Sequence, residues 1–147
     1  MAISSLSVAK EICRLSDWGI SNLQLQKILY LAHMVYMGQQ DGDPLIDGNF
    51  EAWDYGPVNP PVYHQVKAFG KKPVKNVFHS VPDIADQDLS DFLEGAVDSL
   101  SKLAPSRLVA ITHDEKGAWA KNYFPGHGAI IPNEDILAEY RMRFDGK

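Results

Sequence analysis

The chain has 147 residues, of which 45% are hydrophobic and 22% charged, with a net charge of -5 and an isoelectric point near 5.4. Such values describe a single ordinary globular domain, spanning the whole chain, with room for a real core. They exclude a protein drawn to nucleic acid or anionic membrane by its overall charge, and the lone cysteine, Cys13, excludes an internal disulfide, as suits a reducing compartment.

The opening MAISSLSVAKEI has neither the basic nor the apolar region of a signal peptide. The longest apolar stretch, Leu23 to Met37, is broken by Gln24, Gln26, Lys27 and His33, which leaves it too short and too polar for a bilayer. A soluble cytoplasmic protein without membrane contact is expected.

Periodicity predicts a first helix over 5–16, with Val8, Ala9, Ile12 and Leu15 inward and Lys10, Glu11 and Arg14 outward. Cys13 borders that stripe as a small buried hydrophobe. Asp17-Trp18-Gly19 ends the helix. Ser21 and Gln24 have the form of a capping box, and the helix they open runs to Met37, with Gly38 as its stop. Lys27 is its only formal charge. A helix apolar nearly all round is buried nearly all round, so this one belongs at the centre of the domain. Gln26, Tyr30, His33 and Met37 form a polar-to-apolar stripe along it, read as core groups hydrogen-bonded to neighbouring backbone rather than as a groove.

Leu45-Ile46, Asp47-Gly48 and Phe50 to Tyr55 read as a β-hairpin closed at Asp47-Gly48. Alternation places Glu51, Trp53 and Tyr55 on one face and Phe50, Ala52 and Asp54 on the other, with Trp53 as the inward anchor. The chain then bends at Tyr55-Gly56-Pro57. Asn59 followed by Pro60 is a strong helix start, and that helix stops at Gly70. Residues 71–82 read as irregular, with a short edge strand around Val77. A clean amphipathic helix spans 86–104, where Gly95 marks a close helix crossing, and a short helix follows Pro105. Thr112 to Glu115 has the form of a second capping box, opening a turn that carries Trp119. Ile130-Ile131 suits an edge strand, and Pro132-Asn133 starts a last helix, acidic at its front (Glu134, Asp135) and basic at its end (Arg141, Arg143). The fold class is mainly α with a small β-hairpin or sheet: six to seven helices around 23–37.

Three segments, in this order and spacing, carry a family resemblance: LQLQKILYLAHMVYMG, FEAWDYGPVNPPVYHQVKAFG and LVAITHDEKGAW. Together they resemble the SocA-like, or Panacea, domain family, also catalogued as a domain of unknown function and in phage-associated proteins. The similarity runs from about Val8 to Tyr140. Asn59 and the Gly117-Ala118 pair before Trp119 depart from the family pattern. The resemblance implies a mostly helical fold and the antitoxin half of a bacterial toxin–antitoxin pair. Such an antitoxin binds its cognate toxin directly, and the SocA type acts as an adaptor that presents the toxin to the protease ClpXP.

No catalytic or metal-binding constellation accompanies these motifs, and no cofactor is expected. His33, His64, His79, His113 and His127 include no pair at ligand spacing, and neither a P-loop nor a G-x-S-x-G is present. His113 is the best polar candidate. As a general base it needs an orienting carboxylate, Asp114 or Glu115; the structural reading, packing near Trp119, is preferred. Trp53, Gly56, His113 and Trp119 are therefore assigned to structure, and Tyr55, Pro57, Tyr63 and Lys67 to partner binding, since aromatics beside prolines make rigid interface anchors. The basic group Lys67, Lys71, Lys72 and Lys75, or the tail RMRFDGK, offers a protease contact. Three alternatives stay open: stoichiometric neutralisation without adaptor action, DNA-binding autoregulation through those lysines, against which the acidity counts, and a small hydrolase around His113.

Overall fold

The computed structural model describes residues 2–144. Helix α1 (Ser5–Leu15) opens on Ser4, whose hydroxyl accepts from the Leu6 amide at 3.2 Å. It closes through Asp17 and Trp18, both in the left-handed region at φ 56 and 57, with the Trp18 amide donating to the Cys13 carbonyl. Helix α2 (Asn22–Gln39) starts at the capping box expected for it: the Gln24 amide donates to Ser21 Oγ at 3.3 Å, and the Ser21 amide to the Gln24 side chain at 3.0 Å. It runs straight through Gly38, which is not a stop. A Cβ there would strike the Tyr140 ring; the glycine serves a close helix crossing.

Strands β1 (Phe50–Trp53), β2 (Gly56–Val58) and β3 (Ala129–Ile131) form an antiparallel sheet in the order β2-β1-β3. Trp53 pairs with Gly56, and Ala52 with Ala129. The hairpin therefore closes at Asp54-Tyr55, not at Asp47-Gly48. Leu45-Ile46 instead lies beside the amino-terminal segment, where Ile46 bridges Ile3 in parallel. Neither Asp54 nor Tyr55 carries a positive φ; Gly56, at φ 109, supplies the twist, as in a turn followed by a glycine bulge. Phe50 and Ala52 face the core while Glu51 and Trp53 are half-buried. The inward anchor of the strand is thus Phe50, and Trp53 lies on its outer face.

Helix α3 (Pro60–Val66) is capped by Asn59, whose side chain accepts from the Val62 amide, and continues as a 3₁₀ turn (Lys67–Phe69) to Gly70. Residues 71–86 are irregular and form no strand at Val77, although Val74 and Phe78 are buried. Helix α4 (Gln87–Leu100) ends four residues short of Ala104. Ala104 is extended, at ψ 148, as suits a residue before proline. No Cβ contact would exist within 4 Å of Gly95, so no helix crosses there. Helix α5 (Pro105–Thr112) includes Thr112 as its last residue; the hydroxyl donates back to the Leu108 carbonyl at 3.0 Å and caps nothing. Helices α6 (Ala118–Asn122) and α7 (Asn133–Phe144) complete the described chain.

Among the described residues there are thus seven α-helices and one small sheet. α2 packs against α1, α3, α4, α5, α7 and β2, the central position that its nearly charge-free sequence requires. Leu25, Ile28 and Leu29 are fully buried on it, each contributing about 1.5–3 kcal/mol. Among the described residues, no helix is long and apolar enough to cross a membrane.

Candidate functional site

The turn between β1 and β2 is held rigid from below and left bare above. Three long-range contacts fix its backbone and its acidic side chain. Trp119 Nε1 donates to the Trp53 carbonyl at 2.7 Å, Lys27 Nζ to the Pro57 carbonyl at 3.2 Å, and the Tyr123 hydroxyl to Asp54 Oδ1 at 2.6 Å. Trp119 is itself sandwiched, stacking on His113 at 3.9 Å and on Tyr123 at 4.6 Å between ring centroids. Gly56 is required twice over. Its φ of 109 disfavours any side chain, and a Cβ would lie 3.0 Å from Lys27 Nζ and 3.4 Å from His113 Cδ2.

Above this bracing, Tyr55 projects from the turn and is 74% exposed. Trp53 and Tyr63 meet edge to face at 4.8 Å, and Trp53 Nε1 donates to Glu51 at 2.9 Å. With Asn22, Leu23 and the loop Gly126–Gly128 they line a cleft of about 610 Å³. The sequence-predicted residues divide accordingly. Tyr55 and Tyr63 line the cleft. Pro57 is buried and cannot belong to an outward face; it holds the turn through its carbonyl. Lys67 is exposed on the 3₁₀ turn, outside the cleft lining. Trp53, assigned to the interior, is part of the cleft wall. Lys71, Lys72 and Lys75 are exposed beside it in sequence. In the tail, residues 145–147 lie outside the described residues.

Two buried polar centres support this face. Beneath the turn, Lys27 is 1% exposed, and burial brings its ammonium down to about 7. His113 is also lowered, by burial first, against the upward pull of the Asp54 backbone and with the neighbouring Lys27 charge adding to the fall. Its Nε2 is buried with no hydrogen-bond partner. Among the described residues no carboxylate orients the ring, because Asp114 accepts from the Lys116 amide and faces Arg143, and Glu115 is exposed. The arrangement a general base needs is not assembled.

The second centre is Glu139, 3% exposed. Its carboxylate accepts from the Tyr30 hydroxyl at 2.8 Å, the Ala118 amide at 3.0 Å and Arg143 at 2.7 Å, and so ties α2, α6 and α7 together. Burial beside that carboxylate pushes the Tyr30 phenol up. The other members of the stripe on α2 are also satisfied: Gln26 accepts from the Asn59 amide, and His33 meets Asn133 at 3.0 Å and the Ile46 amide at 3.4 Å. Their partners include side chains from far along the chain, not only nearby backbone. Among the described residues, no group of three His, Cys, Asp or Glu side chains is placed to hold a metal. Cys13 is buried, with its thiol pushed up to about 12, and has no thiolate character.

Sequence reading missed the buried Glu139 and its half-buried partner Arg143, because their positions near the end of a charged helix suggested solvent. Lys27 did give a signal, being the single charge in an otherwise apolar helix.

The family described as "Antitoxin SocA-like, Panacea domain" matches residues 25–120, a stretch holding most of α2, the turn between β1 and β2, α3 to α5 and the start of α6. The chain belongs to that family. The Antitoxin SocA of Caulobacter vibrioides (strain NA1000 / CB15N) is 37% identical over 113 residues, covering 70% of this chain and 60% of that protein. The matched part of the chain thus spans somewhat under two thirds of that relative's length. No solved structure matches significantly.

Proposed function

We propose that this chain is an antitoxin that binds its cognate toxin directly, with the turn face as its contact surface. One observation carries the reading in a member of this family: a large aromatic, Tyr55, stands 74% exposed on a turn braced from beneath by the buried side chains of Lys27 and Trp119 and at its surface by Tyr123. An exposed tyrosine on a rigid backbone gives contact area with little loss of freedom on binding, as interface hot spots require. Tyr63 and Trp53 extend that surface into the cleft, and Lys67 supplies a charge at its rim. Buried Lys27 and half-buried His113 act behind the turn as supports.

The antitoxin is further proposed to deliver the toxin to ClpXP. An adaptor holds cargo and protease at raised effective concentration, which needs a second contact outside the cleft. The exposed lysines at 71, 72 and 75 are available for it.

The test co-expresses the chain with the product of the neighbouring reading frame, scoring growth rescue, co-purification and toxin half-life. Tyr55→Ala is expected to abolish co-purification and rescue while the variant stays folded. Unchanged binding in that variant would remove the turn face from the interface. Rescue at an unchanged toxin half-life in cells with and without ClpXP would sink adaptor action and leave stoichiometric neutralisation.

A further inference from the structure

A second cleft, of about 640 Å³, opens further along α2, lined by Leu31, Val35, Phe92, Ala96, Leu100 and Ile111. It lies where α4 and α7 both pack on α2, and its walls are mostly apolar. None of the residues around the turn contributes to it: the first cleft uses α2 up to Gln26, and this one begins at Leu31.

Two features of the α4 lip tell what belongs there. The first is Gly95, in mid-helix. Glycine weakens a helix relative to alanine, yet here no positive φ demands it and a Cβ would meet nothing within 4 Å. With Ala96 and Ser99 it leaves the lip low, so that another backbone can approach closely. The second is charge. Asp88 and Asp91 stand one turn apart before Gly95, and Asp91, Glu94 and Asp98 border the adjoining shallow cleft. Lys102 offsets only Asp98, at 3.5 Å and largely in solvent, and Arg14 of α1, already paired with Glu11, is the one other cation felt by Glu94 among the described residues. Across the cleft, Arg143 brings no free positive charge, because Glu139 and Asp114 already hold it. The lip is acidic.

We propose that this cleft docks an amphipathic helix of a partner protein, apolar toward α2 and bearing lysine or arginine on the flank that meets α4. Helices pack at interaxial distances of about 8–10 Å, and a helix in a groove presents anchors at i, i+3 or i+4, and i+7. Leu31, Val35, Phe92 and Leu100 form the floor and wall that such anchors fill. The site does not depend on the turn face, so the chain can hold two partner segments at once along one helix.

The test is fluorescence anisotropy of the full chain with a labelled peptide of about 15 residues, leucine and lysine in amphipathic helical register, and with its leucine–glutamate counterpart. The lysine peptide is expected to bind roughly tenfold or more tightly than the glutamate one. Gly95→Gln places a side chain in open space, so the variant melts no lower than the parent, but it obstructs the lip and should weaken the lysine peptide by a similar factor. Asp91→Lys should weaken the lysine peptide and strengthen the glutamate one, with melting unchanged. Tyr55→Ala should alter neither. Equal binding of both peptides would overturn the proposal, as would lysine-peptide binding indifferent to Gly95→Gln, which marks general attraction to an acidic protein. A dimer in sedimentation that Gly95→Gln dissociates would assign the cleft to a second copy and overturn it equally.

Discussion

The two buried polar centres of this protein do opposite things with the same kind of residue. Around Glu139 every strong group has its partner: a hydroxyl, an amide and a guanidinium converge on one carboxylate. Beneath the turn, Lys27 has three protons and one acceptor, the Pro57 carbonyl, and His113 Nε2 has none. The first is a closed joint that holds the helices in register. The second is an incompletely satisfied support lying directly under the exposed tyrosine. Buried polar groups that lack partners cost stability, so that cost is concentrated under the turn, the face proposed to meet a partner, and not at the joint.

Breaking the joint should have the largest effect. Glu139→Ala strands the Tyr30 hydroxyl, the Ala118 amide and the Arg143 charge together, and should cost about 3–5 kcal/mol, read from urea unfolding. A loss under about 1 kcal/mol would show the joint to be replaceable by water. Next comes Gly56→Ala, with a strained φ and a Cβ pressed toward Lys27 Nζ. It should cost about 1–3 kcal/mol and lower toxin affinity even where the variant is folded, since the turn must shift.

The third prediction concerns pH. With the folded Lys27 at about 7 and an ordinary value of 10.5, the unfolded chain binds a proton that the folded one lacks across that interval. Stability from this group therefore rises with pH between about 7 and 10.5, and below about 7 both states are charged and the dependence ends. A gain of roughly 2 kcal/mol from pH 7 to 9 is expected, and Lys27→Met should flatten it. His33 and His113, both lowered by burial, act in a separate window, below their ordinary value of 6.5, where acidification removes stability. An equal slope in Lys27→Met between pH 7 and 9 would assign the effect elsewhere. Last, Tyr55→Ala should move stability by less than about 0.5 kcal/mol, since the side chain is in solvent. Its effect should fall on toxin binding alone.

The central place of α2 was legible because a single lysine in an apolar stretch leaves few faces for water. The caps at Ser21 and Asn59 were legible for the same local reason, each being set by residues three apart. The hairpin was not. Asp47-Gly48 carries the stronger local turn signal, and Gly48 does adopt φ 80, but the pairing is decided by β3 and by Trp119, Tyr123 and Lys27, all distant in sequence. The glycines show the same limit. Gly38 takes the close crossing expected of Gly95, while Gly95 neither meets a helix nor ends one, because a letter G does not say whether it serves a turn or a close neighbour. At the candidate site Tyr55 and Tyr63 were readable as aromatics beside prolines. Pro57 and Trp53 went to the wrong sides, since strand alternation was read without knowing which face the core would take.

The brace from Trp119 to the Trp53 carbonyl spans 66 residues of sequence, and β3 joins the sheet from later still. During synthesis at about 5–20 residues per second, the turn therefore emerges roughly 3–13 s before the ring that steadies it. A nascent chain shows the tyrosine early, on a loose loop, and presents it firmly only when nearly all of the domain has been made. On the proposed role of the turn, competence to bind follows the making of Trp119, and a ribosome that stalls between Trp53 and Trp119 yields a product with the motif but without its support.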